Sequence, residues 1–308
     1  MNVLSLFDGI GCARLALDLA KIKYKNYFSS ETDKYCIEVL RDNYPDSIFL
    51  GDVKKINLKK LPKIDLLIGG SPCQDISNAH AGVGIKGLRS SLFFEFVKIQ
   101  RILKPKFFLL ENVKSKWKDY MSEQLDTDFI EINSSYFHPQ NRPRLYWTNF
   151  SFELPRKNSN LAIQDILEKN VPTNFFLEEK IVKKIISHHK IEKRNGKDIR
   201  KLFTIEKKFI NDNERQRRLY SIKGKSPTLL ARSDTPKILV HNKIRKLTPL
   251  ECERLQGIKD NYTEMCSNTQ RFKMIGNSFS VGTIAYILKN MNKNKPTKRK
   301  QQLDLNLR

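Results

Sequence analysis

Five short segments place reactive or charged side chains where an apolar strand gives way to a loop. In Gly69-Gly70-Ser71-Pro72-Cys73-Gln74, two glycines and a proline lead into a cysteine. Proline fixes the backbone just before the thiol, and glycine gives access to it. Most lone cysteines are small buried hydrophobes. A thiol on a Gly/Pro-rich loop at a strand end is suited instead to act as a nucleophile once ionised. Phe108-Leu109-Leu110-Glu111-Asn112-Val113 delivers a carboxyl group at the end of an apolar strand. Partial burial there would raise the pKa of Glu111 and let it share or donate a proton; a capping or structural acid would look the same. Gln140-Asn141-Arg142-Pro143-Arg144 sets two arginines at i and i+2 on extended chain, so both point to one side; a surface basic patch is the other reading. Leu6-Phe7-Asp8-Gly9-Ile10-Gly11 is a strand, a glycine turn and a helix start, through which backbone can approach a ligand closely. Such turns also serve as plain connections. Glu31 and Asp52 follow the next two strands. A carboxylate at a second strand's tip can accept from both hydroxyls of a ribose, and Asp52 could accept from an adenine amino group; solvated loop acids would read alike.

The elements that must position these groups alternate. Val3–Phe7, Tyr27–Ser30, Ile48–Leu50, Ile64–Ile68 and Phe107–Leu110 read as strands, with further strands at Phe129–Ile132 and Arg144–Thr148. Helical periodicity falls at Ala13–Lys21, near Asp33–Asn43 and at Ser91–Leu103. Strand and helix in alternation predict an α/β fold with a mostly parallel sheet covered on both faces. Ligands bind such sheets beyond the carboxyl ends of the strands, where Asp8, Ser71 and Glu111 sit. After Asn149 the texture turns polar and dense in Lys and Arg, most of all from Lys180 to Arg218, which predicts a second, smaller domain. Thr248-Pro249 then opens a helix with proline at its first position, and Gly276-Asn277-Ser278 leads into an apolar helix at Val281–Leu288. The expected division is residues 1–153 and 258–292 for the catalytic and cofactor-binding domain and 154–257 for the smaller domain. A basic tail at 293–308 is too polar to build a core.

Charge narrows the partner. Lys+Arg number 57 against 33 Asp+Glu, a net charge of +24 over 308 residues. Such a surplus attracts polyanions, with nucleic acid the first expectation, although an A·T-rich coding sequence also raises Lys, Asn and Ile. The five cysteines, Cys12, Cys36, Cys73, Cys252 and Cys266, form no C-x-x-C pair, which argues against a disulfide framework, a cysteine-rich zinc site or any other metal centre. The N-terminus lacks the pattern of a signal peptide, and no apolar run approaches the ~20 residues of a membrane span. A reducing cytoplasmic location, with no membrane association, is expected.

Taken in order, F-D-G-I-G, S-P-C-Q, E-N-V, Q-N-R-P-R and G-N-S resemble the signature of the DNA cytosine-C5 methyltransferases, over about residues 1–150 and 226–290. The serine before Pro72, the R-L-Y-W-T-N strand and G-N-S-F-S-V are similar to the animal de novo enzymes; the rest is similar to bacterial and phage enzymes. The resemblance implies a Rossmann-like sheet that uses S-adenosylmethionine, joined to a target-recognition domain. It implies that Phe7, Asp8, Gly9, Ile10 and Gly11 cradle the methionine part of the cofactor. Glu31 would hold the ribose and Asp52 the adenine, with Val53, Pro72, Leu92, Asn277 and Ser278 completing the pocket. Cys73 would be the nucleophile, Glu111 would face the target base, and Arg142 and Arg144 would orient it, Arg144 near the cytosine O2. Gln74, Ser77, Arg89 and Arg232 are the expected DNA contacts. Lys225–Arg232 and Arg245–Gly257 match the family's penultimate motif, which organises the recognition domain. The chain departs from the pattern at Cys12, where a second glycine is usual, and at Ser71, where bacterial members often have phenylalanine. The short spacing from Val113 to Gln140 predicts a trimmed helix.

The implied chemistry is methyl transfer to C5 of a cytosine flipped out of duplex DNA, through a covalent Cys73–C6 adduct. The glycines at 82, 84 and 87 would let the loop Ser77–Ser90 close over that base. Double-stranded DNA is the expected partner of a monomer in a restriction-modification or phage-protection setting, and activity would not need a cognate endonuclease. Two other readings are a tRNA cytosine-C5 methyltransferase of the same fold and a non-catalytic DNA-binding relative. S-P-C-Q-D-I-S speaks against the first, and the presence of Cys73, Glu111 and Arg144 against the second.

Overall fold

The computed structural model describes residues 1–72, 91–189 and 198–291. Its large sheet takes the strands β1 (Asn2–Leu6), β2 (Asn26–Ser30), β3 (Ile48–Phe49), β4 (Leu66–Gly69), β5 (Phe107–Asn112), β6 (Phe129–Asn133) and β7 (Pro143–Thr148) in the order β3-β2-β1-β4-β5-β7-β6. Pairing is parallel from β3 through β5, and β7 runs antiparallel to both its neighbours. The strand order reverses between β1 and β4, so the crevice beyond their carboxyl ends is where such a sheet takes a ligand.

Alternation along the strands explains why helices cover both faces. Val3, Leu66, Ile68, Phe107 and Leu109 share one core with Ala13, Ala16 and Leu17 of α1 (Cys12–Leu19), Val39 of α2 (Lys34–Asn43) and, from the C-terminus, Ile284 and Leu288. Their strand neighbours Leu4, Leu6, Leu67, Phe108 and Leu110 point the other way. They pack with Phe93, Phe96 and Val97 of α3 (Ser91–Leu103) and Met121 and Leu125 of α4 (Lys118–Leu125). Between Val113 and Gln140 the chain forms the eight-residue α4. The fourth strand starts and ends later than its apolar run suggests and takes in Gly69, where a Cβ would stand 2.9 Å from the Phe96 ring.

The Lys/Arg-rich stretch folds around a small core of its own. After α5 (Glu179–His188) come β8 (Lys201–Thr204), β9 (Arg218–Ser221), β10 (Lys237–Val240) and β11 (Lys243–Lys246), ordered β11-β10-β9-β8. Val182 and Ile185 of the helix meet Ile205, Leu219 and Ile244. A two-residue turn, His241-Asn242, joins β10 to β11, both residues at positive φ (46° and 59°), which suits a tight hairpin.

Beyond the small sheet the chain returns to the large core. The helix α6 (Pro249–Gln256) has Thr248 as its cap and Glu251 completing a reciprocal capping box, with Gly257 closing it at φ 72°. Although α6 falls within 154–257, its Cys252 and Leu255 pack in the large core. Glu251 is fully buried and pairs with Arg245 at 2.6 Å; Glu253, also fully buried, pairs with Arg271 at 3.2 Å. The chain then forms α7 (Asn268–Asn277) and α8 (Val281–Met291). Among the described residues no helix is long and apolar enough to cross a membrane.

Candidate active site

The turn after β1 is built on left-handed backbone at Phe7, Gly9 and Gly11 (φ 56°, 57° and 78°). Gly11 also has a close neighbour, since a Cβ there would lie 2.4 Å from Leu40 Cδ1. Beneath the turn the buried Asp8 Oδ1 accepts from Ser5 Oγ (2.6 Å) and Tyr27 OH (2.7 Å), while its buried Oδ2 has no partner. Burial outweighs these hydrogen bonds and pushes the Asp8 carboxyl up to about 6. Cys12, where a second glycine was expected by resemblance, opens α1 fully buried, and burial pushes its thiol up to about 12.

Glu31 ties two strand-end turns together. Its Oε2 accepts from Gly9 N (2.8 Å), and its Oε1 from Thr32 N (2.7 Å) and Asp33 N (2.9 Å). Asp52 caps a short 3-10 turn by accepting from Lys54 N at 3.0 Å. Phe7, Val53 and Leu92 all belong to the second core, Phe7 and Leu92 as half-buried residues at its edge. A Cβ on Gly9 or Gly51 would meet nothing, so open space adjoins both turns. The C-terminal segment comes back to this place: Ser278 is buried beside Cys12, and Asn277 is exposed. Tyr262, which no sequence motif singled out, fastens the return by donating to Ile10 O at 2.8 Å.

At the ends of β4 and β5, Asn112 Nδ2 donates to Ser71 Oγ at 3.1 Å, holding the two loops side by side. Ser71 is buried and Pro72 exposed. Cys73, Gln74, Ser77, Arg89 and the loop Ser77–Ser90 lie outside the described residues. Glu111 Oε1 pairs with Arg144 Nε at 3.1 Å, both side chains about one-eighth exposed (12% and 13%). Burial raises the Glu111 carboxyl, with Arg144 and Arg142 opposing it, in the direction expected from its place in the sequence. A Cβ on Gly70 would stand 2.5 Å from the Phe279 ring and 3.5 Å from Glu111 Oε2, so Phe279 is a further wall of the site.

The two arginines divide their work. Arg142 is buried and donates to the carbonyls of Leu229 (3.3 Å), Gly276 (3.1 Å) and Ser278 (2.9 Å); burial lowers its guanidinium to about 9. It straps Gly276 and Ser278 to Leu229, whereas Arg144 faces Glu111. Pro143 starts β7, so Arg142 lies just before the strand and Arg144 within it. Arg232 is exposed and pairs with Asp234 at 3.2 Å. A cleft of about 1040 Å³ between the chain at Leu167–Leu177 and the β10–β11 hairpin shares no residue with this site.

The fold and the strand-end groups can be set beside known proteins. The model of the C-5 cytosine-specific DNA methylases matches residues 1–293. The type II methyltransferase M1.ScrFI of Lactococcus lactis subsp. cremoris is 33% identical over 320 residues, covering 94% of this chain and 77% of that protein. The type II methyltransferase M.HhaI of Haemophilus parahaemolyticus is 30% identical over 319 residues, 94% of each chain. The crystal structure of the S. pombe Dnmt2 methyltransferase superposes with a TM-score of 0.68 at 15% identity, over 95% of this chain and 98% of that one, a likeness of fold. The chain therefore belongs to the C-5 cytosine-specific DNA methylases, the enzymes that methylate cytosine in DNA at C5.

Proposed function

We propose that the chain methylates C5 of a cytosine flipped out of a specific DNA sequence, using S-adenosylmethionine and a covalent Cys73–C6 adduct, as a modification enzyme of the restriction-modification or phage-protection kind. The observation that carries the reading is the Glu111–Arg144 pair at the strand ends next to Ser71-Pro72, the chain leading to Cys73. The cofactor's fit rests on the open turns at Gly9 and Gly51, the strand-tip acids Glu31 and Asp52, the partnerless Asp8 Oδ2 and the apolar edge of Phe7, Val53 and Leu92. Asn277, Ser278 and Pro72 close the same crevice. When bound there, S-adenosylmethionine supplies an electrophilic methyl group on a sulfonium.

The chain's own groups do the rest. Cys73 adds as a thiolate to C6 and turns the ring into an enamine, nucleophilic at C5. Glu111, whose carboxyl burial raises, hydrogen-bonds N3 and the exocyclic amine and relieves the charge that builds on the ring. Arg144 holds Glu111 in place and donates toward O2. Once C5 is methylated, a base removes its proton and the C6–S bond breaks, returning the thiolate. Duplex DNA is held by the recognition segment 154–257, with Arg232, Gln74, Ser77 and Arg89 as contacts, and the protein acts as a monomer.

Nucleoside mass spectrometry on unmethylated plasmid incubated with S-adenosylmethionine tests this. Wild type is expected to yield 5-methyldeoxycytidine, and Cys73→Ala to yield none while still binding cofactor and DNA. Retained activity in Cys73→Ala would sink the covalent mechanism.

A further inference from the structure

Two glutamines form the densest buried polar link in the site, and neither is needed for the chemistry above. Gln140 and Gln256 are both fully buried. Gln140 Oε1 accepts from Leu229 N at 3.0 Å, and its Nε2 donates to Leu255 O and Gln256 Oε1, each at 3.1 Å. Gln256 Nε2 donates in turn to Ile275 O at 3.0 Å and reaches Ser278 O at 3.4 Å. The hydrogen bonds run in one direction, from the recognition segment at Leu229, through the loop that carries Arg142 and Arg144, to the cofactor-side segment Ile275–Ser278. Arg142 spans the same three segments through Leu229, Gly276 and Ser278. There is no slack beside it: a Cβ on Gly276 would lie 2.2 Å from Leu230 O.

A pair of apolar side chains would fill this space without fixing any orientation. Two buried amides are costly unless every polar atom is bonded, and each bonded amide sets both a distance and a direction. We propose that Gln256 is a positioning residue for methyl transfer, which acts through Gln140 to hold the Arg142–Arg144 loop in register with the Ile275–Ser278 segment. The proposal rests on the reading above that the first segment meets the target base and the second the cofactor. A displacement of about 1 Å between reacting partners can cost a hundredfold in rate, so such a link bears on turnover more than on binding.

The test is steady-state methylation of duplex DNA by the full chain carrying Gln256→Glu, which keeps the shape and the acceptor but loses the donors to Ile275 and Ser278. The expected result is a kcat lower by about ten- to a hundredfold, with KM for DNA within about threefold of wild type. Leu125→Ala, a core truncation in α4 remote from the link, controls for lost stability at a matched folded fraction. If Gln256→Glu does not fold, Gln140→Glu, which keeps the acceptor for Leu229 N, is measured the same way. A kcat within twofold of wild type in the folded variant, or an equal loss in Leu125→Ala, overturns the proposal and leaves the reading of the site intact. A wild type that makes no 5-methyldeoxycytidine overturns the reading itself.

Discussion

Asp8→Asn offers a test of the turn after β1 whose size follows from its geometry. Asp8 is buried, its Oδ1 accepts from Ser5 and Tyr27 with the Ser29 hydroxyl also close by, and its carboxyl is raised from 3.8 to about 6. The native state thus binds this proton more tightly than the unfolded chain. The sign follows: stability is greatest with the group protonated, below pH 3.8, and is lost as pH rises toward 6. A shift of about two units corresponds to about 3 kcal/mol, of which about 2 kcal/mol falls between pH 4.5 and 7.5. Asparagine keeps a carbonyl for Ser5 and Tyr27 and cannot ionise. Its amide N–H takes the place of Oδ2, near the Ser29 hydroxyl, and whatever that exchange contributes does not vary with pH. Urea unfolding of the cofactor-free proteins at both pH values should therefore show the variant gaining about 2 kcal/mol on wild type at the higher pH. A difference that stays constant within about 0.5 kcal/mol would refute the assignment of a raised, buried carboxyl at position 8.

Other substitutions probe the remaining parts. Glu111→Gln should lower kcat by about two orders of magnitude or more, measured by methyl incorporation at saturating substrates. Arg245→Met leaves Glu251 charged and buried, and should cost about 3–5 kcal/mol in urea unfolding, with the small sheet affected first. DNA affinity should weaken at least about tenfold between 50 and 200 mM salt in a fluorescence titration; a flat response would argue against phosphate contacts by the basic segment.

The large sheet was legible because its strands are buried on both faces and read as apolar runs, and the acids and glycines at their ends mark the crevice. The helix at Pro249 was equally plain, since threonine, proline and the first-turn glutamate state its start chemically. The small sheet was not. Its strands are four residues each, all four begin with lysine or arginine, and their burial depends on contacts with α5. Within the site, strand ends announced Asp8, Glu31 and Glu111. Tyr262 and Phe279 could not be found that way, because each acts by reaching across some 200 residues or more to a turn near the other end of the chain. The division between Arg142 and Arg144 was hidden for a related reason: the carbonyls that claim Arg142 belong to Leu229, Gly276 and Ser278.

The buried glutamates of α6 have a consequence for how the protein meets its surroundings. Glu251 and Glu253 are spent inside, each on one arginine, and these pairs remove as many positive as negative charges from the exterior. Arg14, Arg142, Lys225 and Lys237 are buried as well, so the interior takes a little of the surplus of 24, and most of it is left to the outer shell, which meets solvent with fewer acids than the total of 33 would suggest. A surface coated this way favours loose, sequence-independent contact with duplex phosphates, along which a protein can slide and hop. The same coating will carry cellular nucleic acid through purification unless the salt is high.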